Sequence, residues 1–469
     1  MQIKLTFLGA AQNVTGSRYM VETNGSRVLV ECGLYQERDL IARNWDPFPI
    51  PPGQIDAVLL THAHLDHCGL LPKLVKEGFR GKIVGTAATL EITAIVLEDS
   101  AHIQVEDVKK KRWRHERQGR KPGHPVVALY TPEDAKVCEQ HFSSAAFDQP
   151  ADLGNGVTAS FYNVGHILGA SAIVVDAGSR NESRRIMFSG DLGRKGRPLL
   201  QDPEPPPERT EYVQIESTYG DKVHEDPAMM ERQLADIINR TRKNGGNVVI
   251  PAFAVERSHE LLFFLNKLML EKKIEPIPVF FDSPSAISVT EVFQRHAELF
   301  DEKTTGYVRD GHSPFEFPSL HLTRSVDQSK AINSQKGGAV IIAGSGMCTG
   351  GRIKHHLQFN LPRKESTIVF VGYQAVGTLG RLITEGAKEI RVLGEMVPVV
   401  ASIARLEGLS GHADRDDIVK WLSGIKDKPR ETFVTHGEPK VSVAFAAFLH
   451  ESLGWNTHVP SYQEQAELG

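Results

Sequence analysis

Three histidines and one aspartate fall within six consecutive positions of the segment THAHLDHCG, residues 61–69. Imidazole and carboxylate groups are good ligands for zinc and related metals. Only 19 of the 469 residues are histidine, so the spacing H-x-H-x-D-H favours a metal site over a solvated loop that happens to contain histidine. Four ligands so close together suit one metal, or two adjacent metals with separate ligand sets. These candidate ligands are His62, His64, Asp66 and His67.

Three further candidate ligands lie at the ends of apolar, strand-like runs. His166 follows VTASFYNV, Asp191 ends RIMFSGD among glycines, and His436 follows ETFVT. Each alone is a weak signal, because a single histidine beside glycine is more often a turn residue. Together with the first cluster they make seven ligands, a number that suits two zinc ions. We assign His62, His64 and His166 to one ion, Asp66, His67 and His436 to the other, and Asp191 as the bridge.

A second pair of residues suits acid catalysis. A hydrolysis that expels an alkoxide needs a proton donor, because an alkoxide is a poor leaving group, and histidine is the usual general acid near neutral pH. His412, in the turn SGHADRDD, is the candidate acid. Glu216, in ESTYG, is the carboxylate that would orient the imidazole and stabilise its protonated form. The same turn is typical of a helix N-terminus capped by Asp414, and the two interpretations are compatible.

Three loops that contain glycine or arginine could hold a polyanion. GSGMCTGGR (344–352) follows an apolar run and precedes a helix-like segment, so backbone N–H groups and a helix dipole would face an anion. FAVERS and GYQAVGTLGR add arginines near presumed strand ends, where open α/β sheets bind ligands. A single Gly-rich loop is as often only a tight turn. The predicted phosphate contacts are Arg257, Ser345, Thr349, Arg352 and Arg381.

The elements that must position these residues fall into two groups. Before residue 201, short runs such as IKLTFLG, RYMVET and VTASFYNV alternate apolar and polar residues and predict strands, and 87–118 reads as one or two helices. QDPEPPPERTEY then has the composition of a linker. After it, strand-like runs such as NVVIPAF and STIVFVG alternate with helix-like runs, which indicates a parallel sheet. The basic run 109–121 is more typical of a solvated helix face than of a nucleic-acid contact.

Composition limits the class of protein. The chain is 40% hydrophobic and 24% charged, as in a soluble globular protein, and its length suggests two or three domains. The net charge of −4 gives no global sign of nucleic-acid binding, so a basic groove must be local. Four scattered cysteines fit a reducing compartment better than a disulfide framework. We expect a cytoplasmic protein without a membrane partner, because neither a signal peptide nor a membrane span is evident.

The motifs VECG and THAHLDH, with His166 and Asp191, resemble those of the metallo-β-lactamase superfamily. ESTYG with Glu216, SGHAD with His412 and THGE with His436 resemble the three further motifs of its β-CASP branch, the nucleic-acid nucleases. The order of the motifs agrees along essentially the whole chain. The likeness is greatest to the RNA-processing group, which includes the endonuclease subunit of the cleavage-and-polyadenylation complex and its bacterial and archaeal relatives.

One residue departs from the family pattern. Glu31 stands in VECG where the family usually has an aspartate that braces the metal loop through hydrogen bonds. Glutamate keeps the charge but is one methylene longer, so the bracing geometry must differ. Glu31 is not counted as a ligand.

The resemblance implies an α/β protein of defined architecture. Residues 1–207 and 398–469 would form a four-layer αββα metallo-β-lactamase sandwich, and a β-CASP domain with a parallel sheet would be inserted at 208–397. It also implies hydrolysis of RNA phosphodiester bonds with two zinc ions. In this reaction a hydroxide attacks phosphorus, Asp66 orients it, and His412, paired with Glu216, protonates the leaving oxygen.

Other functions stay open. A small-molecule hydrolase on the same scaffold would not need an extended polyanion cleft, so the arginine-bearing loops argue against it. A non-catalytic binding subunit is disfavoured because all seven ligand positions are filled. A DNA-directed β-CASP nuclease is a third alternative, and RNA is preferred by resemblance because DNA-directed members usually lack the histidine found at His436. The sequence leaves open endonuclease against 5′-exonuclease action, RNA sequence preference and the oligomeric state, a homodimer included.

Overall fold

The computed structural model describes residues 3–23, 25–118, 126–179, 182–224, 227–372 and 374–469. The chain forms two compact units, each with its own sheet system and hydrophobic core. Unit 1 comprises Met1–Arg197, Asp202–Val223 and His412–Gly469, and unit 2 comprises Pro198–Gln201 and His224–Gly411.

Unit 1 contains two seven-stranded sheets. The first sheet consists, in spatial order, of β22 (Gln465–Leu468), β1 (Ile3–Gly9), β2 (Arg18–Thr23), β3 (Ser26–Val30), β4 (Ala57–Leu59), β5 (Lys82–Thr86) and β6 (Phe142–Ala145). The second consists of β21 (Thr457–His458), β20 (Glu431–Thr435), β11 (Tyr212–Glu216), β10 (Glu182–Phe188), β9 (Ser171–Ser179), β8 (Val157–Asn163) and β7 (Ala151–Gly154).

The core of unit 1 lies between these two sheets. Alternate residues of β8 are buried, as the period-two pattern of its sequence predicts. The inward side chains of both sheets form one apolar cluster, in which the Phe7 ring of β1 lies 5.0 Å from the Phe433 ring of β20. The sheets therefore pack face to face, and their strand ends carry the loops that hold the candidate ligands.

Helices cover the outer faces of the sandwich in unit 1. Helix α3 contacts β5 and β6 of the first sheet, and α13 contacts β20 and β21 of the second, so the predicted αββα layering is confirmed. α3 is one continuous helix, and residues 119–121 of the predicted basic run lie outside the described residues. The helices of this unit are α1 (Leu65–Cys68), α2 (Leu71–Lys76), α3 (Ala87–Gln118), α4 (Pro132–Glu139), α12 (Arg415–Leu422) and α13 (Pro439–Leu453).

Unit 2 is built on a six-stranded sheet in which all neighbours run parallel, as predicted. In spatial order its strands are β14 (Leu320–Leu322), β13 (Val279–Asp282), β15 (Val340–Ala343), β12 (Val248–Pro251), β16 (Thr367–Phe370) and β19 (Ser402–Arg405). A hairpin of β17 (Glu389–Val392) and β18 (Glu395–Pro398) is separate from this sheet. The helices are α5 (Pro227–Lys243), α6 (Arg257–Leu270), α7 (Pro284–Arg295), α8 (Glu302–Arg309), α9 (Val326–Ile332), α10 (Ile353–Asn360) and α11 (Leu379–Thr384).

The compact units change over at residues 223/224 and 411/412, and the predicted domain boundaries at 207/208 and 397/398 stay predictions. β11 pairs with β10 and β20, so hydrogen bonding keeps this strand in unit 1. β19 pairs with β16, which keeps the segment up to Gly411 in unit 2. Among the described residues, no helix combines the length and the apolar character needed to cross a bilayer.

Candidate active site

The first ligand cluster lies directly after β4. His62 and His64 occupy a short extended segment, and His64 precedes the single helical turn α1 with ψ of 145°. That turn carries Asp66 and His67, so the chain presents four ligands by following an extended segment with one helical turn. A buried strand therefore delivers the whole cluster at its carboxyl end.

The three single ligands follow strands of the second sheet. His166 lies in the loop after β8, Asp191 in the loop after β10, and His436 immediately after β20. Gly190 has φ of +54°, and a β-carbon at this position would lie 2.8 Å from the Thr61 β-carbon. Glycine is therefore required for the Asp191 loop to approach the segment that carries His62.

The structure brings four of the predicted ligands together as set A: His62, His64, His166 and Asp191. His64 Nδ1 lies 3.0 Å from His62 Nε2 and 3.3 Å from His166 Nε2. Asp191 Oδ2 lies 3.4 Å from His62 Nε2 and 3.5 Å from His166 Nε2. Ligands about 2.0–2.1 Å from a tetrahedral zinc ion are about 3.3 Å apart, so these spacings fit one ion.

Set B consists of Asp66, His67 and His436, together with the second oxygen of Asp191. His67 Nε2 lies 3.1 Å from His436 Nε2 and 3.4 Å from Asp191 Oδ1. Asp66 Oδ2 lies 4.0 Å and 3.8 Å from the same two imidazole nitrogens. Asp191 Oδ1 is buried and accepts no hydrogen bond from the residues that the structure describes. This donor set and the unsatisfied oxygen fit a second cation, with Asp191 between the two sets.

The surroundings shift the pKa values of these candidate ligands in two directions. Burial alone would lower the pKa of His67 and His436, but the carboxylates of Glu31 and Asp191 raise that of His67, and the carboxylate of Asp191 raises that of His436 to about 9. Burial lowers the pKa of His62, His64 and His166, which favours the neutral imidazole that a metal requires. Burial alone would raise the pKa of Asp191, but the charges of His436 and His67 hold it well below its usual range. The carboxylate is therefore ionised and available to cations.

Hydrogen bonds orient the ligand imidazoles. Thr61 Oγ1 lies 2.9 Å from His62 Nδ1, and Thr218 Oγ1 lies 3.0 Å from His436 Nδ1. Bonds of this kind decide which ring nitrogen faces the metal. The sequence gives no periodic or spacing signal for either threonine. Their only sequence clue is that each lies next to or within a motif, THAHLDH for Thr61 and ESTYG for Thr218.

Glu31 braces the metal loop despite its extra methylene. Its Oε1 lies 2.6 Å from His67 Nδ1 and also accepts a hydrogen bond from the Thr61 hydroxyl. The backbone of Glu31 is left-handed, with φ of +64°. Burial alone would raise the pKa of Glu31, but the charge of His67 lowers it, so an anionic acceptor faces the ligand.

We expect Glu31→Gln to weaken zinc binding about 10- to 100-fold, the usual effect of removing an outer partner of a metal ligand. The amide keeps the length of the side chain but loses the charge that holds the His67 Nδ1 proton. Competition with a chromogenic chelator measures the affinity. Zinc affinity equal to that of the wild type would contradict this bracing role.

The candidate acid pair also forms in unit 1. His412 Nδ1 lies 2.9 Å from Glu216 Oε2, and the second Glu216 oxygen accepts a hydrogen bond of 2.6 Å from Leu192 N. Burial alone would lower the pKa of His412, but the carboxylates of Glu216 and Asp191 raise it above its ordinary value. His412 Nδ1 lies 3.8 Å from Asp191 Oδ2, so the pair adjoins set A. Asp414 caps α12, as predicted.

The predicted phosphate contacts lie in unit 2, at loops that follow parallel strands. The loops after β12, β15 and β16 meet at one edge of the sheet, because carboxyl ends of parallel strands share an edge. Ser345 Oγ lies 3.2 Å from Thr349 Oγ1 and accepts a hydrogen bond from Gly350 N, so it organises the Gly-rich loop. Arg381, in α11, is partly exposed and pairs with Glu385 at 2.6 Å.

Arg352 and Arg257 are held within unit 2. Arg352 donates to buried Asp282 at 2.6 Å, to Thr323 O at 3.0 Å and to Arg324 O at 2.7 Å. Arg257 is 5% exposed, pairs with Glu260 and donates to Leu409 O at 3.1 Å. These contacts hold loops together. A phosphate contact from either guanidinium stays a prediction.

Three family descriptions match successive parts of the chain. They are the Metallo-beta-lactamase superfamily over residues 14–131, the Beta-Casp domain over residues 258–383 and the Zn-dependent metallo-hydrolase RNA specificity domain over residues 396–460. A crystal structure described as a protein of unknown function from Enterococcus faecalis V583 matches all of both chains with a TM-score of 0.53 at 13% identity, which shows the fold alone.

Two curated relatives match the chain over nearly its whole length. Ribonuclease TTHA0252 of Thermus thermophilus is 37% identical, over 95% of this chain and 96% of its own. Transcription termination factor FttA of Methanocaldococcus jannaschii is 30% identical, over 98% of this chain and 70% of its own. The resemblance inferred from the motifs is therefore confirmed, and the chain belongs to the β-CASP branch of the metallo-β-lactamase superfamily.

Proposed function

We propose that this protein is a ribonuclease that hydrolyses RNA phosphodiester bonds with two zinc ions, in RNA processing or decay. The observation that carries the proposal is the position of Asp191, whose two oxygens face different ligand sets and which lies 3.8 Å from the candidate acid His412. Metal ligands and a proton donor thus adjoin one carboxylate. The relatives named a ribonuclease and a transcription termination factor support RNA as the substrate.

Each residue of the site has a defined task in this reaction. When bound, zinc would supply Lewis-acid chemistry. It lowers the pKa of water, so that a hydroxide nucleophile is available at neutral pH, and it stabilises negative charge on phosphate. The side chain of Asp66 is 19% exposed, against 1% for His67 and 3% for His436, so Asp66 is the set B ligand suited to orient the attacking water. Glu216 holds the Nδ1 proton of His412, and His412 Nε2 donates its proton to the leaving oxygen.

The proposal includes compartment and assembly. All four cysteines are buried free thiols, which supports the reducing cytoplasm as the compartment. A homodimer stays a prediction, and light scattering at working concentration tests it.

Incubation with RNA labelled at either end, carrying a 5′-phosphate or a 5′-hydroxyl, tests the proposed activity. We expect cleavage that a chelator abolishes and added zinc restores. Internal fragments from both RNAs would assign endonuclease action, and mononucleotides from the 5′-phosphorylated RNA alone would assign 5′-exonuclease action. Faster cleavage of single-stranded DNA would favour a DNA-directed nuclease. Hydrolysis of thioesters or lactones, with neither nucleic acid cleaved, would favour a small-molecule hydrolase.

We expect Arg381→Ala to weaken RNA binding with little regard to sequence and to reduce the slope of log affinity against log salt by about 1, because one phosphate contact is lost. Filter binding at several salt concentrations measures both quantities. Arg309→Ala, which removes an exposed arginine from α8 of the same unit, is the matched control and should leave the slope unchanged. A changed sequence preference with an unaltered salt slope would refute the phosphate contact.

A further inference from the structure

We propose that Glu37 is a positioning residue for set B: it anchors the loop of residues 9–17 and thereby sets the zinc affinity of set B while set A is unaffected. This inference rests on the two-metal centre proposed above. Glu37 is not a ligand and lies outside the motifs that mark the family in this sequence.

The loop 9–17 has a backbone that requires an anchor. Ala10 and Gln12 are left-handed, with φ of +47° and +59°, and Gly16 has φ of +83°. Non-glycine residues in this region are strained and persist only where the surroundings hold them. The loop therefore depends on contacts from outside itself.

Glu37 supplies several of those contacts with one carboxylate. Its Oε1 accepts hydrogen bonds from Val14 N at 3.0 Å and Thr15 N at 2.9 Å, and its Oε2 accepts one from the Thr15 hydroxyl. Asn13 Nδ2 lies 3.5 Å from the same Oε1. Gln36 N in turn donates to Thr15 Oγ1 at 2.8 Å. Hydrogen bonds to a carboxylate are stronger than those between neutral groups. The several bonds that Glu37 accepts therefore fix the turn at residues 13–15.

The two ends of this loop hold the main chain of two set B ligands. His436 N donates to Ala10 O at 2.8 Å, and Ser17 N donates to Asp66 O at 2.8 Å. His436 itself is left-handed, with φ of +51°, so its position also depends on this contact. A shift of the loop would therefore move Asp66 and His436 together.

The segment that carries Glu37 holds the third set B ligand. Cys32 N donates to His67 O at 2.8 Å, and Leu34 N donates to Leu65 O at 2.9 Å. A β-carbon at Gly33 would lie 1.6 Å from Asp66 O, so the two segments are in direct contact. Residues 31–37 and the loop 9–17 thus form one support for set B.

Set A shares the Thr61–Glu31 hydrogen bond with the 31–37 segment but has further supports elsewhere in unit 1. Thr61 O, next to His62, accepts hydrogen bonds from Ser171 N at 2.9 Å and Ser171 Oγ at 3.2 Å. Leu60 N donates to Val84 O of β5 at 2.8 Å, which fixes the start of the same segment. Release of the loop 9–17 should therefore leave the set A imidazoles in place.

Zinc titration of the metal-free protein against a chromogenic chelator tests this inference. For Glu37→Ala we expect the first ion to bind with wild-type affinity and the second about 10- to 100-fold more weakly. Glu37→Gln, which keeps one acceptor oxygen, should show a smaller loss. Turnover of Glu37→Ala should recover as zinc is raised, with KM for RNA unchanged. Amide exchange of Val14 and Thr15 should be faster in both variants.

Asp56→Asn is the matched control, because Asp56 also accepts a backbone amide, that of Arg27 at 2.7 Å, but precedes β4 at the end away from the ligands. It should bind both ions as the wild type does. Equal weakening of both ions, or no change in the second, in Glu37→Gln would overturn the inference. If Glu37→Ala does not fold, Glu37→Gln and its amide exchange still decide. A wild-type protein that binds one ion would instead overturn the two-metal centre.

Discussion

An Asp191→Ala variant is expected to lose zinc from both ligand sets and to lose RNA cleavage by at least about 10⁴-fold. The two oxygens of Asp191 face different sets, Oδ2 toward His62 and His166 and Oδ1 toward His67. Removal of this carboxylate takes one donor from each set and the negative charge that would face a cation in either set. The rate effect is expected to be large because binding to zinc lowers the pKa of water from 15.7 to about 7. Metal analysis after dialysis and a cleavage assay measure the two losses.

Two variants make the Asp191 experiment specific. Asp191→Asn keeps the volume and one carbonyl oxygen, so it should retain more metal than Asp191→Ala while both sites weaken. Asp176→Ala removes a carboxylate from β9 that pairs with Arg185, and it should keep both ions. If one ion stayed fully bound in Asp191→Ala, the bridging assignment would be wrong.

His412→Ala and His436→Ala are expected to differ in metal content although both lose activity. His436 Nε2 lies 3.1 Å from His67 Nε2 within set B, so its removal should release zinc as well as activity. His412 Nδ1 is held by Glu216, so its removal should leave two ions and RNA affinity unchanged. Turnover of His412→Ala should fall about 10²- to 10⁴-fold, the usual contribution of a general acid. Metal content, RNA affinity and turnover are measured for both variants.

An activated substrate separates the acid role from other effects of His412. A nitrophenyl phosphodiester has a leaving group that needs no proton, so the loss in His412→Ala should shrink on it. Equal rate losses on RNA and on the activated substrate would rule out the acid role. Asp191, Glu216 and His412 also lie close enough to surround one cation. Release of an ion from His412→Ala would therefore assign His412 as a ligand.

The sequence indicates the types of the candidate ligands and their order along the chain. His62, His64, Asp66 and His67 are adjacent in the chain, so the cluster is local and its chemistry is evident from spacing. The single ligands could be located because each follows an apolar run. The burial alternation of β8 and the β-α-β order of unit 2 are local patterns as well, and each was confirmed. These features depend on residues within one strand, helix or turn.

The internal contacts of the arginines are visible only in the tertiary structure, and their phosphate contacts stay predictions. From sequence, Arg257 and Arg352 have the same description as Arg381, since each follows an apolar run near glycine or a turn. In the fold, Arg352 meets the buried carboxylate of Asp282, 70 residues away, and Arg257 is buried against Glu260 and Leu409. A guanidinium binds an internal carboxylate or an external phosphate with the same geometry. Composition therefore cannot distinguish the two.

The sequence by itself determined which candidate donors this protein offers and which strands deliver them. The spacing of the donors and the alternation of the strands are both patterns that extend over only a few neighbouring residues. Only the tertiary structure decided that Asp191 divides its oxygens between the sets, that Thr218 orients His436 from 218 residues away, and that Glu37 anchors the loop beside set B. Each of these contacts joins polar atoms that are distant in the chain. Such a contact forms only where the packed sheets bring two loops together and bury their polar groups away from water. Neither condition can be recognised within a single sequence motif.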